Sequence, residues 1–210
     1  TLLVDQGHTI IALSRFDSCI LSAHNCRLHR VLLGLGEFNL DDEASIKIAF
    51  KLIKEHYSSI DAIVHCAGAA HGSILGMITR NDFLCNLTTN LVSPIIFSQM
   101  FLRLLKKSSN PSIINISSIS AFRDDPGSLV YACSKAALNQ ATRIMAKELG
   151  RYKIRVNTVA PGITLTPMLD LMDKKSITSQ IEFTPTGRAT TPREVAQLIS
   201  FLISSQSMQI

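Results

Sequence analysis

The stretch Ser-Ile-Ile-Asn-Ile-Ser-Ser occupies residues 112–118, and Tyr-Ala-Cys-Ser-Lys follows at residues 131–135. The first is a short apolar run ending in hydroxyls, which predicts a buried strand with Ser118 at its carboxyl end. The second places Tyr131 and Lys135 on one face of a predicted helix from about residue 129 to Gly150. A nearby ammonium favours the phenolate and lowers the pKa of a tyrosine from about 10. We therefore expect a pair that exchanges a proton with a carbonyl or alcohol oxygen, although this spacing also occurs on solvated helix faces.

Strand and helix patterns alternate along the rest of the chain. Strands are predicted at 8–14, 61–65 and 154–160, with a weak one at 37–40, and helices at 41–56, 79–107 with a kink at Pro94, and 191–203. Capping boxes open the helices that follow Thr79 and Thr191, while residues 18–33 are ambiguous and favour a helix. The alternation predicts an α/β fold, with a doubly wound parallel sheet between two layers of helices, in a single domain over residues 1–210.

Composition excludes several classes of protein. The chain of 210 residues is 46% hydrophobic, and it has no apolar run of the roughly 18 residues that a membrane span needs. Its net charge of +5 comes from scattered lysines and arginines, which argues against a nucleic-acid surface. The five cysteines lack CxxC spacing and predict a reduced, cytoplasmic compartment. Four cysteines and histidines lie close together in the sequence: Cys19, His24, Cys26 and His29. Their spacing matches no common zinc site, so we expect no metal site.

Residues able to contact a ligand follow each predicted strand. In open α/β sheets, ligands bind beyond the carboxyl ends of the strands. Five residues fall at such ends: Arg15, Asn39, Cys66, Ser118 and Pro161. This coincidence of positions predicts a binding site along one edge of the sheet.

The motifs, in their order along nearly the whole chain, resemble those of the short-chain dehydrogenase/reductase family, and within it 3-oxoacyl-acyl-carrier-protein reductases. The resemblance implies four catalytic residues. Ser118 would bind the substrate carbonyl oxygen, and Tyr131 would be the general acid for reduction. Lys135 would lower the pKa of that tyrosine and bind the nicotinamide ribose. Asn90 would help to hold a water in the proton relay to Lys135.

The resemblance also implies cofactor contacts. Arg15 would pair with a 2′-phosphate, and Ser14 stands where NAD-preferring relatives carry an acidic residue, so NADP(H) is expected over NAD(H). Asn39, followed by Leu40, occupies the adenine-binding position. The triplet Cys66, Ala67 and Gly68 corresponds to an Asn-Ala-Gly motif, with cysteine replacing asparagine.

The loop after the sixth family strand would contact the nicotinamide through four residues: Pro161, Gly162, Ile163 and Thr166. It would continue to about Thr186 as a mobile substrate lid. An apolar stretch within it fits either an acyl chain or ordinary packing: Met168, Leu169, Leu171 and Met172. The family's first strand with its Gly-rich turn has no counterpart in the sequence, nor does its last strand. We therefore expect these 210 residues alone to bind NADP weakly or not at all.

The expected activity is NADP(H)-dependent reduction of a carbonyl to a hydroxyl, with a 3-oxoacyl thioester of fatty acid biosynthesis as preferred substrate. Two alternatives stay open. One is an NAD-dependent alcohol or hydroxysteroid-type dehydrogenase, and the other is a non-catalytic binding or oligomerisation module. The helices at 81–107 and 129–150 match those that relatives use to form dimers and tetramers, so a homodimer or homotetramer is expected by resemblance.

Overall fold

The computed structural model describes residues 2–13, 28–29, 38–172 and 174–210. Arg15, and with it the predicted phosphate contact, lies outside the described residues, as does Ser14. The same is true of Cys19, His24 and Cys26 from the crowded cysteine and histidine set.

Parallel strands alternate with helices along the chain, as predicted. The strands are β1 (Ile10–Ile11), β2 (Leu28–His29), β3 (Ala62–His65), β4 (Ser112–Ile116) and β5 (Arg155–Val159). The helices are α1 (Leu2–Asp5), α2 (Glu43–His56), α3 (Arg80–Leu87), α4 (Ser93–Leu105), α5 (Leu129–Leu149), α6 (Lys174–Glu182) and α7 (Pro192–Ile203). β1 pairs with β2, and β4 lies between β3 and β5, with parallel pairing throughout. Ile113 of β4 is level with Ile63 and Val156, so all three strands end at one edge.

Side chains on the two faces of the three-stranded sheet pack into two separate hydrophobic cores. Ile63, Ile113 and Val156 face a core filled by α2 and α4, against which the end of α5 also packs. Ile114 and Val159 point to the opposite face and meet α7. A strand buried on both faces is expected to be rich in apolar residues, and Ser112–Ile116 has three isoleucines and four buried residues among its five. These packing contacts give the three-layer Rossmann-like arrangement and confirm the predicted fold class.

Both predicted capping boxes are present. The Thr79 and Thr191 side chains accept from backbone amides three residues on, and the carboxylates of Asp82 and Glu194 accept from the cap amides in return. Asp42 caps α2 by accepting from Ala44 and Ser45. Each cap accepts hydrogen bonds from amides that have no intrahelical acceptor at the start of a helix. Because the capping residues lie close to these amides in the sequence, the sequence predicts these three helix starts.

The long helix predicted over residues 79–107 is interrupted earlier than expected. A π-helical turn at Thr88–Val92 separates α3 from α4, and the Ser93 amide donates to the Thr88 carbonyl five residues back. Pro94 has no amide to donate and its ring clashes with the preceding turn, so a wider turn just ahead of it relieves the conflict. The predicted kink is therefore displaced onto the turn that contains Asn90.

Four boundary predictions are wrong. Among the described residues 8–13 of the predicted strand, β1 covers Ile10–Ile11 alone, and Leu28–His29 forms a strand inside the ambiguous stretch for which a helix was favoured. Residues 38–40 are not a strand, because the Asn39 side chain accepts from the Asp41 amide and turns the chain into α2. The predicted lid is not a continuous loop, since α6 forms within it.

Candidate active site

The segments leaving β4 and β5 run side by side at the carboxyl edge of the sheet. The Ser117 amide donates to the Val159 carbonyl at 2.7 Å, and the Ile119 amide donates to the Pro161 carbonyl at 3.0 Å. Ser118 therefore lies beside the Pro161 turn, as predicted from strand ends. The Ser118 oxygen also accepts from the Ser120 amide at 3.1 Å, which caps a short 3₁₀ turn over Ile119–Phe122.

Burial raises the pKa of the Tyr131 phenol, and the Ser118 side chain next to it opposes that rise. The Lys135 nitrogen lies 5.9 Å from the centroid of the tyrosine ring. The pKa of Tyr131 is raised rather than lowered in this structure, because desolvation of the phenolate is the largest cause and Lys135 is not among the causes. That Lys135 lowers the pKa of Tyr131 during catalysis stays a prediction.

Lys135 enters the site from one turn further along α5 and is almost fully buried, at 4% exposure. Its Nζ donates to the Ile116 carbonyl at 2.8 Å, at the end of β4. Burial lowers the pKa of Lys135 to about 8, and the charge of a nearby Cys66 thiolate would raise it. The amine is thus fixed beneath the tyrosine by the strand whose end carries Ser118.

Asn90 joins two walls of the site. Its side-chain oxygen accepts from the Ala69 amide at 2.9 Å, and its Nδ2 donates to the Ala69 carbonyl at 2.8 Å and to Ser134 Oγ at 2.9 Å. Ser134 Oγ donates in turn to the Tyr131 carbonyl at 2.7 Å. The amide therefore holds the loop after β3 against the helix that carries Tyr131 and Lys135.

The Cys66–Gly68 triplet lines the site next to Lys135. A Cβ on Gly68 would stand 3.4 Å from Asn90 Oδ1 and 3.6 Å from Lys135 Nζ, so glycine keeps this approach open. Cys66 is a free, accessible cysteine whose pKa is raised by desolvation, with Lys135 opposing the rise. The raised pKa keeps the Cys66 thiol protonated at neutral pH. Ala67 is exposed beside it.

The remaining predicted cofactor residues fall in two loops. Asn39 is exposed and Leu40 packs against the first core, while Asp41 accepts from Thr89 at 2.6 Å and anchors this loop to the turn containing Asn90. Ile163 is buried, its carbonyl accepts from the Thr190 amide at 2.8 Å, and Thr166 is half-buried just before a 3₁₀ turn. Gly162 is exposed between Pro161 and Ile163.

Two hydroxyls that the sequence reasoning left without a role lie inside this network. Ser134 bonds Asn90 and Tyr131, and Ser120 lies 3.1 Å from Ser118 Oγ. The signal for Ser134 was its position directly before Lys135 on the same helix. Ser120 had no comparable signal, because its contact depends on the 3₁₀ turn.

Within the described ranges, no group of three metal-binding side chains gathers into a candidate metal site. Nor does any described helix combine the length and apolarity required to cross a membrane.

A family model described as "Enoyl-(Acyl carrier protein) reductase" matches residues 24–210, which is most of the chain. The chain belongs to the short-chain dehydrogenase/reductase family. It is similar to the 3-oxoacyl-acyl-carrier-protein reductase FabG of Thermotoga maritima, with 35% identity over 82% of this chain and 70% of the relative. Carbonyl reductase family member 4 of Danio rerio is 32% identical over 97% of this chain and 84% of the relative. A structure of 4-hydroxyisoleucine dehydrogenase complexed with NADH covers 100% of this chain and 85% of its own, at 25% identity and TM-score 0.83.

The residues of this short-chain dehydrogenase/reductase fit the nicotinamide cofactor that such oxidoreductases use. Lys135 Nζ carries three protons. Among the described residues, one of them is donated in a hydrogen bond, to the Ile116 carbonyl. The others are available to ribose hydroxyls. Because Gly68 has no Cβ, the space in front of Asn90 and Lys135 stays open for a ligand to approach.

Proposed function

We propose that this protein reduces a carbonyl to a hydroxyl with NADP(H), and that a 3-oxoacyl thioester is its preferred substrate. The observation that carries the proposal is the placement of the Ser118 hydroxyl next to the Tyr131 phenol at the carboxyl end of β4, with Lys135 Nζ 5.9 Å from the centroid of the tyrosine ring. Two hydroxyls side by side form a donor set for one carbonyl oxygen, on which negative charge develops during reduction.

In this proposal Ser118 and Tyr131 bind the substrate oxygen, and Tyr131 transfers its proton to that oxygen. The raised pKa of Tyr131 keeps the phenol protonated at neutral pH, which is the form that an acid catalyst needs. Lys135, with its pKa of about 8, is mostly charged at pH 7 and favours the phenolate that remains. The nicotinamide supplies the hydride.

Cofactor contacts are proposed from the same geometry. Lys135 would hold the ribose hydroxyls, while the Ile163 backbone and the Thr166 hydroxyl would hold the carboxamide and phosphates beside the turn at Pro161 and Gly162. Asn39 and Leu40 would meet the adenine, and Cys66, Ala67 and Gly68 would let the cofactor approach the backbone. Arg15 would pair with the 2′-phosphate and set the preference for NADP.

The names of the relatives support the substrate class. The Thermotoga maritima relative is a 3-oxoacyl-acyl-carrier-protein reductase and the Danio rerio one a carbonyl reductase. Exposed apolar side chains after β5, including Leu165 and Met168, offer a surface for an acyl chain. An NAD-dependent alcohol or hydroxysteroid-type dehydrogenase is the second candidate. It is favoured by the NADH in the solved relative and by a 3α-hydroxysteroid dehydrogenase at 30% identity.

A homodimer or homotetramer is also part of the proposal. The helices expected to form it present exposed apolar side chains, namely Leu84 within α3, Val92 in the π turn, and Leu129 and Ile144 on α5. Sedimentation of the purified protein tests this directly, and a monomer at micromolar concentration would contradict it.

The proposed function is tested by following NADPH and NADH oxidation with an acetoacetyl thioester. In a version that carries a relative's first strand and Gly-rich turn ahead of Thr1, we expect turnover that is faster with NADPH and abolished by Tyr131→Phe, but retained by Tyr152→Phe, which changes a tyrosine packed against Lys106 and Arg151. Parallel assays on these 210 residues alone test their predicted weak cofactor binding. Absence of turnover in both versions, despite cofactor binding, would contradict the reductase proposal and favour a binding module.

A further inference from the structure

Ser120 contacts the hydroxyl of Ser118 through two of its own atoms. Its backbone amide donates to Ser118 Oγ at 3.1 Å, and its side-chain oxygen lies 3.1 Å from the same atom. Ser120 is half-buried, in the 3₁₀ turn that Ser118 caps. The cap needs only the amide, which any residue at this position except proline supplies. The hydroxyl of Ser120 is therefore an additional contact that the local fold does not require.

The Ser118 hydroxyl has one proton and two lone pairs. Ser118 Oγ accepts from the Ser120 amide and lies within hydrogen-bond distance of Ser120 Oγ, and the Tyr131 oxygen is an alternative acceptor for the Ser118 proton. During reduction, Ser118 must donate a hydrogen bond with that proton to the substrate oxygen, while Tyr131 transfers its own proton. While Ser118 donates to Ser120, it cannot stabilise the oxygen on which charge develops.

We propose that Ser120 is a positioning residue that directs the Ser118 proton toward the reacting oxygen, an inference that rests on the proposed reductase function. Either hydroxyl can donate across 3.1 Å, because both rotate freely. When the Ser120 hydroxyl donates to Ser118 Oγ, both lone pairs of Ser118 are filled by Ser120. The remaining Ser118 proton then points away from Ser120, to Tyr131 and the substrate, and the chain of hydrogen bonds polarises it.

The test compares Ser120→Ala, Ser120→Thr and Ser118→Ala with the wild type in NADPH-dependent reduction of an acetoacetyl thioester. We expect kcat of Ser120→Ala to fall about fivefold, the scale of one lost hydrogen bond, with KM changed less than about twofold. Ser120→Thr keeps a hydroxyl and should recover most of kcat. The thermal midpoint of Ser120→Ala should stay near that of the wild type, since the capping amide remains.

A Ser120→Ala kcat equal to or above that of the wild type would overturn the role of Ser120, provided that Ser118→Ala is severely impaired. Failure of Ser120→Thr to recover activity, with its thermal midpoint unchanged, would overturn it as well. A wild type that binds NADPH, in the version extended ahead of Thr1, but gives no turnover would instead overturn the proposed function, and with it this role. The two failures are thus separated by the wild-type and Ser118→Ala measurements.

Discussion

Burial acts in opposite directions on the two ionisable groups at the centre of the site. It raises the pKa of Tyr131 and lowers the pKa of Lys135, because both charged forms lose solvation. The phenol therefore keeps the proton that reduction requires. The amine is held by the Ile116 carbonyl rather than by a carboxylate, so its charge is available to stabilise a phenolate.

His65 shows the same effect without a role in the proposed chemistry. It ends β3 directly before Cys66, is buried against Phe97, and its Nε2 lies 2.8 Å from Ser98 Oγ. Desolvation lowers its pKa from 6.5 to about 4. Both the folded and unfolded forms are neutral above pH 6.5. Below it the unfolded chain takes up the proton first, so stability falls as the pH drops toward 4.

We predict that His65 alone removes about 2 kcal/mol of unfolding free energy between pH 7.5 and pH 5. Urea unfolding at the two pH values measures this loss, and His65→Gln should abolish most of it. His56→Gln, which changes an exposed histidine at the end of α2, should retain the full pH dependence. An equal loss in wild type and His65→Gln would show that other groups cause it.

At the scale of elements, the site depends on how the loop after β3 meets the loop before α5. A Cβ on Gly72 would stand 2.8 Å from the Gly127 carbonyl oxygen, closer than real Cβ contacts. Gly127 itself has a φ of +83°, a conformation that favours glycine, and it precedes the first turn of α5. This contact sets the approach of the two loops that flank Tyr131.

Gly72→Ala should therefore push the two loops apart and lower stability by about 1–3 kcal/mol, the usual cost of overpacking. Gly150→Ala is the matched control, because nothing lies within 4 Å of its added Cβ and its φ of −56° suits alanine. Thermal unfolding should separate the two variants clearly. Equal thermal midpoints for both would contradict the close approach of Gly72 and Gly127.

Elements with local signals were predictable from the sequence, and those that depend on distant contacts were not. Thr79 and Thr191 carry their capping partners three residues away, and three of the five residues of β4 are isoleucines. In contrast, β2 is defined by its pairing with Ile10–Ile11, residues that are distant in the sequence, so no local pattern marks it as a strand. The catalytic spacing located Tyr131 and Lys135, but the sign of the Tyr131 pKa shift depends on burial, which sequence spacing does not report.

At the scale of the whole molecule, two cores hold the three-stranded sheet rigid from both sides. α2 and α4 pack on one face and α7 on the other, so the ends of β4 and β5 are fixed relative to α5. The Ile119–Pro161 and Lys135–Ile116 hydrogen bonds then join these elements at one edge. A site assembled from three elements should keep its geometry when one hydroxyl is removed.

Transfer of deuterium from NADPH, compared between the wild type and Tyr131→Phe, tests most directly whether hydride transfer to the carbonyl carbon requires Tyr131. NADPH deuterated at both C4 positions is incubated with an acetoacetyl thioester, and the mass of the product is measured by mass spectrometry. We predict one deuterium in the hydroxyl product of the wild type. Tyr131→Phe should give no labelled product while retaining fold and NADPH binding, seen by circular dichroism and cofactor fluorescence. Labelled product from Tyr131→Phe at the wild-type rate would contradict the account.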